Sequence, residues 1–263
     1  MAGRHSWAPG SCGIVHVHSE FSHDGRDSLE GLRDFALERE ISFIGLTDHA
    51  EDFDAGIYEA YSERCQLLSD DRVRLVPGLE FRFEGFPGLH LLALGLRSWI
   101  SPATPAEFAS QAPGLSGFTI VAHPVLPAYQ VPAEVLATID AIEVWNAAYN
   151  TRYLPDPRSM RLLHAAQRNR PEIVGTAGLD QHDARNDRET RVILLRPGAP
   201  DPLAELRAGR FTNAGRTMRF GSAVKWGPAR LASLTGIRVL YDLMEGMQER
   251  VARALSARRR SRH

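Results

Sequence analysis

The chain has little sulfur, almost no lysine and no long apolar run. Its two cysteines, Cys12 and Cys65, sit in no Cys-x-x-Cys spacing, which excludes a disulfide scaffold and a thiolate metal site and points to a reducing compartment. Lys225 is the only lysine among 31 basic residues. Arginine and lysine serve most surface positions equally well, so this bias reads as composition and not as phosphate recognition. No stretch carries the roughly 20 consecutive apolar residues needed to cross a bilayer, and residues 1–10 lack the apolar core of a secretory signal. A soluble cytoplasmic protein is expected. A formal net charge of -1 argues against a general polyanion binder. What remains is ordinary globular composition, 43% hydrophobic and 24% charged over 263 residues, a length that suits one α/β barrel.

Hydrophobic periodicity switches repeatedly between the two regular patterns. Strands are expected over 14–19, 41–47, 73–80, 89–94, 118–124, 141–145 and 173–179, and helices over 28–39, 56–68, 106–112, 132–138 and 158–167. Asp27 with Glu30 three residues on resembles a capping box for the first helix. Strands alternating with helices imply a parallel sheet, and about seven such units favour a closed or nearly closed ring. The fold class expected is therefore α/β, a distorted (β/α)7 TIM-like barrel with a C-terminal helix.

Past the last strong strand the pattern changes. An edge strand is expected at 190–195, a short helix at 202–208 and a long helix at 231–255, with Ile237, Leu240, Met244, Met247, Val251 and Leu255 at helical spacing. That apolar stripe is expected to cover the barrel or to join a second copy as a homo-oligomer. The whole of 1–263 reads as one domain, with a motif core at 14–183, a helical extension at 225–256 and a basic tail at 257–263. The tail reads as a solvated end, contact with nucleic acid or anionic lipid being the alternative.

The chemistry concentrates at strand ends. In Ile14-Val15-His16-Val17-His18-Ser19, side-chain alternation puts His16 and His18 on one face, where two imidazoles would crowd unless something binds both. A divalent metal does that. His49, Glu80, His123, Asp180 and His182 also fall at or just after strand ends, His90 falls near a strand start, and Asp24 lies in the loop after the first strand. In a parallel barrel those ends converge on one mouth, the place where such folds keep their chemistry. Imidazole and carboxylate donors without thiolate point to zinc, manganese or iron in a hydrolytic site.

These residues resemble the motifs of the polymerase and histidinol phosphatase (PHP) family of metal-dependent phosphoesterases. The first motif corresponds to His16-Val17-His18-Ser19-Glu20-Phe21-Ser22-His23-Asp24-Gly25, and the second to Thr47-Asp48-His49. Gly78-Leu79-Glu80 and His90-Leu91-Leu92 follow, then His123-Pro124 and Asp180-Gln181-His182. The resemblance implies three divalent metal ions. One would be held by His16, His18, Glu80 and Asp180, a second by Glu80, His90 and His123, and a third by Asp24, His49 and His182. It also implies hydrolysis of a phosphate ester by a hydroxide shared between metals, with Glu80, Asp180 and His182 as the residues nearest the reaction. Arg82 and Arg185 are the candidates for binding substrate phosphate.

Neighbouring residues read differently. His23 is expected to be a solvent-facing loop residue, Asp48 to hold His49 by a hydrogen bond, and Glu143 either to position a ligand or to play a structural role. Cys12 and Cys65 read as core thiols, and His5, His164 and His263 as ordinary. The interval between His90 and His123 is too short for the inserted domain that some family members with nucleotide substrates carry. A small phosphorylated substrate is the leading expectation. A nuclease, a protein-tyrosine phosphatase of the same family, a non-catalytic scaffold and an amidohydrolase-type barrel are the alternatives.

Overall fold

A computed structural model describes residues 8–151, 153–241 and 243–244. It divides into two compact units, Met1–Val224 and Lys225–His263. In the first unit β1 (Cys12–Val17) leads through α1 (Leu29–Glu38) to β2 (Phe43–Leu46) and β3 (Asp48–His49). Next come α2 (Ala55–Leu68), β4 (Arg74–Val76), β5 (Gly78–Arg82), β6 (His90–Leu94), α3 (Pro105–Leu115) and β7 (Phe118–Val121). The chain continues through α4 (Ala133–Leu136), β8 (Ala141–Asn146), α5 (Pro157–Ala166) and β9 (Val174–Gly178). It closes with β10 (Arg191–Leu194), α6 (Pro202–Arg207), β11 (Phe211–Ala214) and β12 (Arg219–Gly221).

The strands form two six-stranded sheets, ordered β12-β11-β10-β1-β2-β4 and β3-β5-β6-β7-β8-β9. The α/β class is as the periodicity implies, but no continuous ladder closes a barrel among the described residues. The chain itself links the sheets where β2 runs into β3 and where β4 runs into β5. On the other side Leu179 N donates to Val15 O at 2.9 Å and His18 N to Gln181 O at 2.9 Å, which fastens the end of β1 to the segment after β9. Val15, Phe43, Leu92, Phe118, Ile120 and Val174 are buried together in the core. Each such side chain contributes about 1.5–3 kcal/mol on leaving water.

Several local expectations are corrected. The strand expected over 73–80 is two, because Pro77 has no N–H for the ladder and the pairing changes sheet there. At Gly78 a Cβ would stand 2.5 Å from Ala93 O and 2.6 Å from Leu46 O, so only glycine lets the crossing strands approach. The sheet is not all parallel: β6 is antiparallel to both β5 and β7. Only seven residues, 83–89, separate β5 from β6, too few for the crossover that parallel strands require. The 190–195 strand is not an edge, since β10 pairs with both β1 and β11. Helix α1 is capped by Ser28, whose side chain accepts from Gly31 N, while Asp27 accepts from Ala184 N at 2.6 Å.

In the second unit residues 228–241 and 243–244 are helical, with Ile237, Leu240 and Met244 more than half exposed. The rest of the helix expected over 231–255, and the basic tail, lie outside the described residues. So do His5 and His263.

Candidate metal centre

The backbone that carries the candidate ligands is unusual. His16, His123 and Asp180 have φ of 67°, 21° and 51°, in or bordering the left-handed region that non-glycine residues avoid. Such conformations cost on the order of 1–3 kcal/mol each and persist only where the surroundings enforce them. At His16 the cause is visible, for the register of β1 against β2 shifts between Val15 and Val17. The bulge re-aims His16 without parting it from His18.

Glu80 stands at the centre, 1% exposed. Its Oε1 lies 2.7 Å from His90 Nδ1, 3.2 Å from His123 Nε2 and 3.6 Å from His16 Nε2. Its Oε2 lies 3.2 Å from His49 Nδ1 and 3.5 Å from His18 Nε2. Asp180 Oδ1 is 3.3 Å from His18 Nε2 and 3.4 Å from His16 Nε2. On the outer side Asp24 Oδ2 is 3.2 Å from His182 Nε2 and 3.3 Å from His49 Nε2. The nine residues expected from sequence therefore meet at one place. His90 reaches it because antiparallel β6 starts at the mouth instead of ending there.

Three sets offer ligand atoms within 4.8 Å of one another: His18, Asp24, His49 and His182; His16, Glu80 and His123; and His16, His18 and Asp180. Eight of the nine expected residues fall in these sets, and His90 touches them through Glu80. The buried atoms His16 Nε2, His18 Nε2, His49 Nδ1 and His123 Nδ1 have no hydrogen-bond partner among the described residues. Leaving one such atom unsatisfied costs about 1–3 kcal/mol. Neutral imidazole lone pairs beside buried carboxylates are the donor set that a zinc-, manganese- or iron-like cation takes, so the residues present fit such ions.

A second layer holds the imidazoles. Glu143, fully buried, places Oε1 2.8 Å from His16 Nδ1. Its Oε2 accepts from His123 N at 2.7 Å and from Asn146 Nδ2 at 2.9 Å. One carboxylate thus hydrogen-bonds both the His16 ring and the His123 backbone, contacts that suit the positioning role weighed from sequence beside a structural one. A Cβ at Gly178 would fall 1.8 Å from Glu143 Oε1. Gly178→Ala is therefore expected to displace that carboxylate and weaken metal binding by about ten-fold or more, read by competition with a chelator.

Asp48 differs from expectation. It accepts from Ser19 N at 2.6 Å, Ser19 Oγ at 2.8 Å and Ser22 Oγ at 2.8 Å, while Ser22 Oγ accepts from His49 N at 2.8 Å. Asp48 therefore anchors the first-motif loop and reaches only the His49 backbone, through Ser22. Gly25 lets this loop fold back, since a Cβ there would sit 1.9 Å from Ser19 O. His23 is half exposed and pairs with Asp52 at 2.8 Å. His164 Nε2 bonds Val224 O at 3.1 Å, and both cysteines are buried.

The two expected arginines are placed unequally. Arg82 reaches His49 Nε2 at 3.0 Å and Glu51 at 3.3 Å. Arg185 is held by Asp183 at 2.7 Å and borders a cleft of about 790 Å³ lined also by Asp24, Asp180 and His182. Sequence reasoning missed Tyr149, whose ring lies 4.7 Å from that of His123. Burial pushes its hydroxyl pKa up, helped by Asp180 and Glu80.

Burial pushes the His16 pKa down, but Glu143 and Asp180 outweigh it and hold it well above the ordinary 6.5. His49 is raised in the same way by Glu80. For Glu80, burial pushes upward and contacts with His123, His16 and His49 pull it well below the carboxylate range. Ligation needs neutral rings, so an entering cation must displace protons that the metal-free site keeps as pH climbs past 6.5. Metal affinity should therefore rise with pH through and above that value. Calorimetric titration with manganese in buffers of different ionisation enthalpy is expected to show about one or two protons released per chain. Heats independent of buffer would contradict this.

A family model described as PHP domain matches residues 15–153, more than half of the chain. No curated protein matches. Among solved structures the chain is similar to a two-domain protein from Bacteroides vulgatus, described as containing a PHP-like metal-dependent phosphoesterase assigned by prediction. That similarity has 18% identity and a TM-score of 0.54 and covers 78% of this chain and 64% of that one. This chain thus spans less than two thirds of that protein's length, and the likeness shows the fold alone. A protein from Bifidobacterium adolescentis, provisionally described as a metal-dependent phosphoesterase, is 15% identical with a TM-score of 0.47, covering 75% of this chain and 93% of that one.

Proposed function

Since this chain belongs to the PHP domain family, we propose that it is a metal-dependent phosphoesterase that hydrolyses the phosphate ester of a small substrate. The observation that carries this reading is the set of buried imidazole nitrogens His16 Nε2, His18 Nε2 and His49 Nδ1, without a hydrogen-bond partner among the described residues and facing Glu80 and Asp180, with His123 Nε2 beside them 3.2 Å from Glu80. A stable core has no physical use for such a cluster.

In this proposal His16, His18, Glu80 and Asp180 hold one cation, Glu80, His90 and His123 a second, and Asp24, His49 and His182 a third, each being zinc, manganese or iron. When bound, these ions supply Lewis acidity and activate water for attack on phosphorus. Glu80 and Asp180 supply the negative charge that keeps them together. Glu143 orients His16 and the His123 backbone. Arg82, at the rim beside His49, neutralises charge gathering on the phosphoryl oxygens. The cleft beside Asp24, Asp180 and His182 takes the rest of the substrate, with Arg185 at its edge. The seven strand positions β1, β2/β3, β4/β5, β6, β7, β8 and β9 act as one distorted barrel, with this site at its mouth.

Purified protein reloaded with manganese or zinc should hydrolyse p-nitrophenyl phosphate, and a panel of phosphomonoesters, cyclic phosphates and short oligonucleotides should then identify the substrate. No turnover across the panel by metal-loaded protein would overturn the proposal.

A further inference from the structure

Tyr149 has a position that packing alone does not explain. It follows β8 in a short loop tied down from several sides. Asn146 Oδ1 accepts from Ala148 N at 2.9 Å and from Tyr149 N at 3.1 Å. Asn150 N donates to Asn146 O at 2.9 Å, and Asn150 Oδ1 accepts from Asn146 N at 2.8 Å. Arg188 donates to the carbonyls of Ala147 and Ala148. The same Asn146 also donates to Glu143, the carboxylate that orients His16. The loop and the ligand set are therefore positioned by one hydrogen-bond network.

This rigid loop presents a side chain that is 42% exposed. The ring of Tyr149 rests on His123 at 4.7 Å. The charged groups that act on its hydroxyl are Asp180, Glu80, His16 and Arg82, all at the candidate metal centre. The hydroxyl has no hydrogen-bond partner among the described residues, which leaves it free to bond solvent or a ligand. The neighbouring Ala148 forms part of the wall of the cleft that contains Asp24, Asp180 and His182.

Resting on the phosphoesterase reading above, we infer that Tyr149 is a substrate-contacting residue whose neutral hydroxyl donates a hydrogen bond to a non-bridging oxygen of the phosphoryl group. The ring sets the direction and His123 sets the distance. A neutral donor suits this task, because it grips an anion without competing with the cations for their carboxylates.

The test compares metal-loaded wild type with Tyr149→Phe and Tyr149→Ala, using inorganic phosphate as the probe in calorimetry, p-nitrophenyl phosphate in kinetics and plasma mass spectrometry for metal content. Tyr149→Phe keeps the ring against His123, so it should keep wild-type metal content while phosphate affinity and kcat/KM fall roughly ten-fold or more. Tyr149→Ala should lose at least as much. Wild-type phosphate affinity and kinetics in Tyr149→Phe would overturn the inference and leave the phosphoesterase reading intact. Loss of metal in Tyr149→Phe would overturn it too, by making the hydroxyl a support of the metal centre. Failure of metal-loaded wild type both to bind phosphate and to turn over ester would sink the two together.

Discussion

Asp180→Asn is expected to remain folded, to lose metal and to lose hydrolysis by at least about 10³-fold in kcat. The change is well matched to its site. Asp180 has φ of 51°, and asparagine tolerates that left-handed backbone as aspartate does. Shape and backbone are thus kept while one negative charge is removed from between His16 and His18, which lie 3.4 and 3.3 Å from Oδ1. The carboxylate is pulled below its ordinary range: burial opposes ionisation, but His16 and His18 favour it, so the wild-type group is ionised and ready for a cation at neutral pH. An amide oxygen carries no such charge, and one metal position loses one of its two anionic ligands, keeping only Glu80. Metal content by plasma mass spectrometry, circular dichroism and p-nitrophenyl phosphate kinetics check the three parts. Full activity in a folded Asp180→Asn would contradict the assignment of Asp180.

Glu143→Gln should have the second largest effect, although Glu143 is proposed to touch neither metal nor substrate. Wild-type Glu143 receives hydrogen bonds from the His16 ring, the His123 backbone and the Asn146 amide. A glutamine has one acceptor oxygen and one donor nitrogen for these three donors. Its oxygen should stay with His123 N and Asn146 Nδ2, which share Oε2, and its nitrogen should face His16 Nδ1. His16 Nδ1 must then accept, so the ring's hydrogen moves to Nε2, the atom meant for the metal. Metal affinity should fall by about 10–100-fold with little change in fold. Competition with a chelator measures this directly, and wild-type affinity would contradict the role given to Glu143.

The contrast between these two residues shows what could be read from sequence. Asp180 was legible because it sits in a short, ordered pattern with His182 at a strand end, and the same holds for His16, His18, His49, Glu80 and His123. Asp180 and His182 lie beyond the matched residues 15–153, so their arrival beside His16 and His18 rests on the fold. Glu143 was visible only as a carboxylate near a strand end, for its partner His16 lies 127 residues away and no local pattern encodes that contact. Tyr149 carried no sequence signal at all. The α/β alternation was legible from periodicity, whereas the reversal of β6 was not recovered from it. The seven-residue gap before His90 held the clue, being too short for a helical crossover. Strands β11 and β12 were missed because Phe211-Thr212-Asn213-Ala214 and Arg219-Phe220-Gly221 carry no apolar run, unlike the equally short β2, β7 and β10.

This cluster of imidazoles and carboxylates is proposed to hold several divalent cations. Plasma mass spectrometry on protein stripped with a chelator, reloaded with manganese or zinc and desalted tests it without reference to any substrate. Close to three ions per folded chain are expected, falling in Asp180→Asn. Fewer than one ion per chain, with the fold intact, would contradict it.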